Sequence, residues 1–362
     1  WVDGTPDRAG VRTTTTLNTG LGDDTVRIDL DATEANGADV SDGFFVLNTQ
    51  GPWNDYANVS DDDVVIATGV FNNVPFESTL PLIVFGGQGS DTITGGTADD
   101  ILIGDRGEVS YFNEEDPNVA VVELVAHLGF GGPGDYTDGV IRFPDIVASR
   151  DLAIGGNDTI FGLGGNDLLL GGVGADELDG GTDDDIIAGD NAQVDFWTDD
   201  TQVASVHSTD TVNEPTWDDV IVTGDGINVV IGGMGDDHVN DTNEQFSAGA
   251  VPSTGADYVI GDNGEFNWDE NGLLTAFGST LPEFGGDDVI DVGDGENIVV
   301  GGFGNDVITT RAGADVILGD NGEVSYTAGT TDLLQARTTD TTNATGGNDV
   351  ITTGEGDNVV LA

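Results

Sequence analysis

The chain has 362 residues, 57 of them glycine and 68 aspartate or glutamate, against eight basic residues that are all arginine, for a formal charge of −60. That balance excludes nucleic-acid binding, which needs clustered Lys/Arg, and argues against docking on an anionic membrane. No apolar run approaches the ~20 residues of a membrane span, and the absence of cysteine removes disulfides, thiolate metal sites and Cys nucleophiles.

Acidic excess alone often means disorder. Here 37% of residues are hydrophobic, many of them β-branched, so a fold whose carboxylates are neutralised by bound cations is the better reading. Residues 1–82 carry strand-like pieces at 13–16 and 43–50 and one glycine-aspartate stretch, TGLGDDTVR, from Thr19 to Arg27. They are expected to form a degenerate repeat or a β-rich cap. DDDVVI at Asp61 and LPLIVF at Leu80 lead into a regular pattern. Gly86–Thr94 reads GGQGSDTIT, Gly171–Asp179 GGVGADELD, Gly232–Asn240 GGMGDDHVN and Gly301–Thr309 GGFGNDVIT. Each fits G-G-x-G-x-D-x-U-x, with U a large aliphatic residue.

Five nonamers run without a gap from Ala153 to Trp197, and five more from Glu283 to Thr327. The fifth differs: GDRGEVSY at Gly104, GDNAQVDF at Gly189, GDNGEFNW at Gly261 and GDNGEVSY at Gly319 put Asp at position two and Val or Phe at six. These fifth nonamers close higher-order modules. The first spans 83–112, with a degenerate start at 61–66; an insertion follows at 113–152, then modules at 153–213, 214–282 and 283–343, and the truncated start of a fifth at 344–362. A solenoid cut in mid-module leads us to expect a segment of a longer protein, or a protomer that docks end to end. Hairpin-like segments follow the fifth nonamers at 198–213, 270–282 and 328–343. The insertion at 113–152 reads as a loop, and module three has a further insertion near 241–251. Counting each hairpin as one half-turn gives three coils per module, ~14 Å of axis at ~4.8 Å per coil.

The nonamers resemble the haemolysin-type, or repeats-in-toxin (RTX), calcium-binding repeat, over roughly residues 86–362 with interruptions. The resemblance implies an all-β fold: a right-handed parallel β-roll (a β-solenoid), here with hairpin insertions, holding several Ca²⁺ ions in its turns. Glycines at positions one, two and four permit a tight turn with bare carbonyls. Asp at six supplies a hard oxygen, and Ca²⁺ takes six to eight such ligands.

In a two-sided roll nonamer n stacks on n+2, and the resemblance implies that each ion sits between such a pair. The turns opening at Gly86, Gly171, Gly232 and Gly301 are the reference cases. The implied pairs are Asp158 with Asp176, Asp167 with Asp185, Asp219 with Asp237, and Asp288 with Asp306. Asp91 stacks on the turn of Asp105, Asp100 faces a degenerate partner at Leu82, and Asp349 opens the last module. Asn228 faces Asp257 and Asn297 faces Asp315, so those sites lose a carboxylate and should be weaker or differently ligated; Asn358 is a third such substitution. The position-two residues Asp105, Asp190, Asp262 and Asp320 depart from the family pattern and are expected to close the edge site from its other side.

Strand triplets differ by parity. Odd nonamers read TIT, ELD, HVN, VID and VIT, whereas even ones read IVF, ILI, LLL, IIA, VVI, YVI, IVV, VIL and VVL. Because side chains alternate faces, the even sheet should be buried on its outer face too, by hairpins folding back or by another copy.

No H-E-x-x-H, G-x-S-x-G or P-loop pattern occurs, and His127, His207 and His238 lie far apart. No catalytic residue and no organic cofactor site is assigned. The expected function is that of a calcium-binding structural segment of a large secreted bacterial repeat protein: an extracellular, cell-surface adhesin or filament that stiffens on Ca²⁺ and self-associates laterally or end to end. The alternative is an RTX accessory region of a secreted enzyme or toxin whose catalytic domain lies outside these residues.

Overall fold

A computed structural model describes residues 2–3, 15–20, 22–30, 45–49, 61–111, 124–127, 144–197, 202–241, 255–340 and 345–362. Every regular element among them is a β-strand. Short aliphatic triplets separated by glycine-rich turns leave no stretch long enough for a helix. The chain instead winds alternately through two parallel sheets of eleven strands each.

One sheet takes the odd triplets, among them Thr92–Thr94, Thr159–Gly164, Glu177–Thr182, Val220–Val222 and Val289–Asp291. The other takes the even triplets, among them Leu82–Phe85, Ile101–Ile103, Leu168–Gly172, Ile186–Asp190 and Ile298–Gly302. Nonamer n pairs with n+2 as the sequence predicts: Thr159 lies beside Glu177 and Leu168 beside Ile186. Between the sheets each strand contributes mainly its central aliphatic, such as Ile93, Leu102, Ile160, Leu169, Leu178 and Ile187.

The roll also reaches back into the described residues before 83. Thr25–Asp29 and Val64–Ile66 extend the odd sheet, while Thr15–Asn18 and Phe45–Asn48 extend the even one. These are degenerate coils in the same two sheets, not a separate cap.

A third sheet of nine strands covers the outer face of the even sheet. It contains the strands of the fifth nonamers (Gly107–Tyr111, Ala192–Phe196, Gly264–Trp268 and Gly322–Tyr326), each paired antiparallel to a following strand: Ile146–Ser149, Val203–Ser208, Leu274–Ser279 and Leu333–Thr338. Within the insertion at 113–152, expected as a loop, Leu124–His127 and Ile146–Ser149 are strands of this sheet; its GFGGPGDYTDG stretch lies outside the described residues. So does the module-three insertion from residue 242 to 254.

Val109, Val147, Val194, Val206, Phe266, Phe277 and Val324 form one buried cluster with Ile103, Leu168, Leu170, Ala188, Ile231, Val300 and Leu318 of the even sheet. Of the two covers the parity of the triplets allowed, the chain's own hairpins are the one present.

This arrangement corrects the coil count. The fifth nonamer leaves the roll, because Val or Phe at position six and the alternation of G-E-V-S-Y suit a strand with one buried face. Each of the three complete modules between residues 153 and 343 therefore places two strands in each roll sheet, giving two coils rather than three, or ~10 Å of axis. Its hairpin adds two strands to the third sheet over the same rise, so all three sheets lengthen in step.

Leu170 is fully buried where the even sheet meets its cover, paired with Ile103 and Ala188. Leu170→Asp places an unpaired charge there, and a loss of more than ~4 kcal/mol is expected. Urea unfolding in saturating Ca²⁺ measures it; an unchanged midpoint would show that the third sheet does not seal this face.

Candidate metal centres

The turns are built from the glycines upward. In the turn opening at Gly171, Gly172 and Gly174 have φ of 112° and 134°, a region that favours glycine. The chain then straightens at Asp176 into the strand Glu177–Thr182. The Asp176 carboxylate is thereby held inward at a fixed height, and the same construction repeats along both edges.

Along the odd strands the position-six aspartates form a continuous ladder, in which each backbone N–H donates to the Oδ1 of the next. Asp63 donates to Asp91, Asp91 to Asp158 and Asp158 to Asp176, each at 2.7 Å. Asp176 donates to Asp219 at 2.7 Å, Asp219 to Asp237 and Asp237 to Asp288 at 2.8 Å, Asp288 to Asp306 at 3.0 Å and Asp306 to Asp349 at 3.1 Å. The even strands carry a second ladder. Leu82 donates to Asp100 at 2.8 Å, Asp100 to Asp167 at 2.7 Å and Asp167 to Asp185 at 2.9 Å. Asp185 then donates to Asn228 at 3.0 Å, Asn228 to Asp257 at 3.3 Å and Asp257 to Asn297 at 2.9 Å.

Oδ1 is thus satisfied by the backbone, whereas Oδ2 of most ladder aspartates is not; Asp100 is an exception, its Oδ2 accepting from the Gly96 N–H at 2.9 Å. The Oδ2 atoms of Asp91, Asp158, Asp167, Asp176, Asp185, Asp219, Asp237, Asp257, Asp288 and Asp306 are buried with no hydrogen-bond partner. A buried polar atom left unmatched is costly, and a row of carboxylate oxygens is more so.

All of these but Asp257 stand beside a backbone carbonyl oxygen. A Cβ added to Gly171 would collide with Asp176 Oδ2 and the Gly189 carbonyl oxygen. Gly86 stands so toward Asp91 and Gly104, Gly162 toward Asp167 and Gly180, Gly232 toward Asp237 and Gly261, and Gly301 toward Asp306 and Gly319. Carboxylate and carbonyl oxygens converge on spaces that only glycine leaves open. Among the described residues no three His, Cys, Asp or Glu side chains gather at one point, so main-chain carbonyls must complete any coordination shell. Hard, all-oxygen ligation of that kind fits Ca²⁺.

The fifth nonamers make composite turns. A Cβ on Gly104 would meet Asp158 Oδ2 and the Gly171 carbonyl; Gly189 stands likewise to Asp219 and Gly232, Gly261 to Asp288 and Gly301, and Gly319 to Asp349. The chain leaves the turn for its hairpin, and the aspartate that completes the turn is supplied by the next module. The position-two aspartates clasp that break. Asp105 accepts hydrogen bonds from the N–H of Gly156 at 3.0 Å and of Val173. Asp262 accepts them from Gly286 at 2.9 Å and from Phe303. Asp320 accepts from Gly347 at 2.8 Å. Asp190 accepts from Met234, and its Oδ1 is buried without a partner.

Electrostatics express the same demand for cations. Burial first, then neighbouring carboxylates, pushes Asp158, Asp219 and Asp288 well above the ordinary carboxylate range. Burial pushes Asp185 up to about 8 and Asp100 up to about 7. Asp167 rises to about 10 through burial and the charge of Asp100. A cation in the turns reverses this penalty.

Three residues outside the sequence-derived set join the odd-strand ladder or lie beside it. Asp24 donates to Asp63 at 2.6 Å, Gly22 donates to Asp61, and the Oδ2 atoms of both Asp61 and Asp63 are buried without partners. Their signal was legible: Asp24 in TGLGDDTVR and Asp63 in DDDVVI each stand one residue before an x-U-x strand.

Comparison with known families agrees with this geometry. The model of the RTX calcium-binding nonapeptide repeat (4 copies) matches residues 83–108, 153–187, 218–240, 291–323 and 338–362. The intervals between these stretches hold the body of each third-sheet hairpin. No curated protein and no solved structure matches the chain. Most ladder aspartates fall inside the matched stretches, with Asp63, Asp257 and Asp288 outside them, and between residues 83 and 362 the chain carries the RTX calcium-binding nonapeptide repeat.

Proposed function

We propose that the chain is a structural rod of an extracellular surface protein, adhesin or filament, which folds and stiffens when Ca²⁺ fills its turns. The observation that carries this reading is the row of partnerless Oδ2 atoms facing turn carbonyls along both edges. Until cations enter, the formal charge of −60 opposes compaction. Low internal and millimolar external calcium would then keep the chain extended before export and fold it afterwards.

The ligands are the partnerless Oδ2 atoms of the position-six aspartates together with position-one carbonyls, and the position-two aspartates hold the composite turns shut. Because the chain's own hairpins already seal the even sheet, self-association need not use that face, and end-to-end continuation of the coils is the form that suits the architecture.

In chelator at pH 7.5 the chain is expected to lack its β circular-dichroism signal, and to gain it cooperatively over roughly 10⁻⁴–10⁻³ M Ca²⁺. A full β signal in chelator, unchanged on adding Ca²⁺, would overturn this function.

A further inference from the structure

The two edges of the rod are not equivalent. Where odd strands pass into even ones, the early turns resemble those of the other edge: a Cβ on Gly162 would meet Asp167 Oδ2 and the Gly180 carbonyl, and one on Gly180 would meet Asp185 Oδ2 and the Thr223 carbonyl. Further along this edge position one is no longer glycine; it is Val292 in one turn and Thr310 in the next.

In these turns the oxygens that elsewhere lack partners have them. The Thr310 hydroxyl donates to Asp315 Oδ2 at 2.7 Å. The Asn297 side-chain amide donates to the carbonyls of Gly293 at 3.0 Å and Gly295 at 3.3 Å, and to Asp315 Oδ1 at 3.3 Å. Arg311 Nη1 donates to the position-one carbonyl of Val292 at 3.3 Å while its guanidinium grips Asp291 at 2.6 and 3.1 Å. Backbone stacking is retained: Asn297 N–H donates to Asp315 Oδ1 at 3.1 Å, and Asp315 N–H to Asn358 Oδ1 at 2.9 Å. On the opposite edge of the same coils, Asp288 and Asp306 keep Oδ2 atoms with no partner.

We propose that the turns at 292–297 and 310–315 take no calcium, because an asparagine amide, a threonine hydroxyl and an arginine guanidinium supply the positive hydrogen-bonding face that the ion supplies elsewhere. The rod is then calcium-clamped on both edges near its middle and on one edge only from Val292 onward. Removing calcium frees one edge of these late coils while the other keeps all its internal donors. This inference rests on the calcium reading of the opposite edge, and the experiment separates the two.

Bound ions are counted by equilibrium dialysis and elemental analysis in 5–10 mM Ca²⁺, on the order of ten times the weakest expected dissociation constant, for the parent chain, Asp306→Asn and Asp315→Asn. Asp306→Asn is expected to lose at least one ion per chain and Asp315→Asn none. Loss in both variants overturns the inference and leaves the calcium reading standing; loss in neither overturns both. A second variant, Asn297→Asp with Thr310→Gly and Arg311→Gln, restores the ligand pattern of the early turns and should gain one ion. A count equal to the parent's would show that these side chains are not what excludes the cation.

Discussion

Gly171→Ala is expected to cost more than ~4 kcal/mol in saturating calcium and to raise the calcium midpoint at least about tenfold, ~1.4 kcal/mol in an equilibrium constant. The added Cβ would collide with the Gly189 carbonyl oxygen and Asp176 Oδ2 and stand 3.0 Å from Asp176 Cβ. Two of these three atoms are proposed ligand oxygens, so relief by moving them apart would dismantle the centre it spares. The main chain cannot yield alone either, since Asp176 is tied through its N–H to Asp219 and through its Oδ1 to Asp158. Gly164→Ala is the matched control: its Cβ would meet only the Thr182 hydroxyl at 3.1 Å, the end of an exposed side chain. A change within ~1 kcal/mol is expected there. Thermal unfolding and calorimetric titration of the two variants measure the difference. Equal effects would show that the space beside Gly171 is not a ligand space.

The second large effect is an inverted pH dependence. Without calcium, the folded state holds its ladder aspartates well above their ordinary values, Asp185 at about 8 and Asp167 at about 10, whereas the unfolded chain titrates near ~3.9. An acid whose folded pKa is raised binds its proton more tightly when folded. Its contribution is fully present below ~4, and stability falls as pH rises from there through about 8. Even half of the shift at Asp185 corresponds to ~3 kcal/mol at one residue, and the ladder repeats it. In chelator the β signal is expected near pH 4.5 and absent by pH 8, with Ca²⁺ restoring it at pH 8. With calcium present the sign reverses, because protons and cations compete for the same oxygens and acid releases the ions. Identical chelator spectra at the two pH values would rule this out.

Much of this architecture was legible in the residues. The nonamer register sets which strands stack, and the Asp158–Asp176 and Asp167–Asp185 pairs follow from it because a fixed period admits one pairing. The LLL triplet at Leu168 announced a sheet apolar on both faces, as the cluster beneath the hairpins confirms.

The coil count was not legible by arithmetic, because five nonamers suggest five roll strands. The clue was chemical: Val109, Val194, Phe266 and Val324 stand where a ligand aspartate belongs, and all four are buried under the third sheet. The hydrogen-bonded turns at Asn297 and Thr310 were half visible. The lost carboxylate can be read from sequence, as can Thr310 five residues before Asp315, but that Asn297 and Arg311 reach oxygens of neighbouring coils depends on stacking across 18 to 20 residues. Asp63 stands one residue before an x-U-x strand like the other ladder residues, but the long spacing between early coils hid which residue it stacks on; its rung to Asp91 is 2.7 Å long.

Two coils and one two-stranded hairpin rise together, and this restricts how such a chain can change length. Gain or loss of one whole module by unequal recombination returns every sheet to its former register, with odd meeting odd, even meeting even, and each hairpin closing over the same pair of coils. A deletion of two nonamers alone would shorten the roll by one coil and leave a third-sheet strand without a partner below it. The heritable step is therefore the module, and length polymorphism among close relatives should come in its multiples.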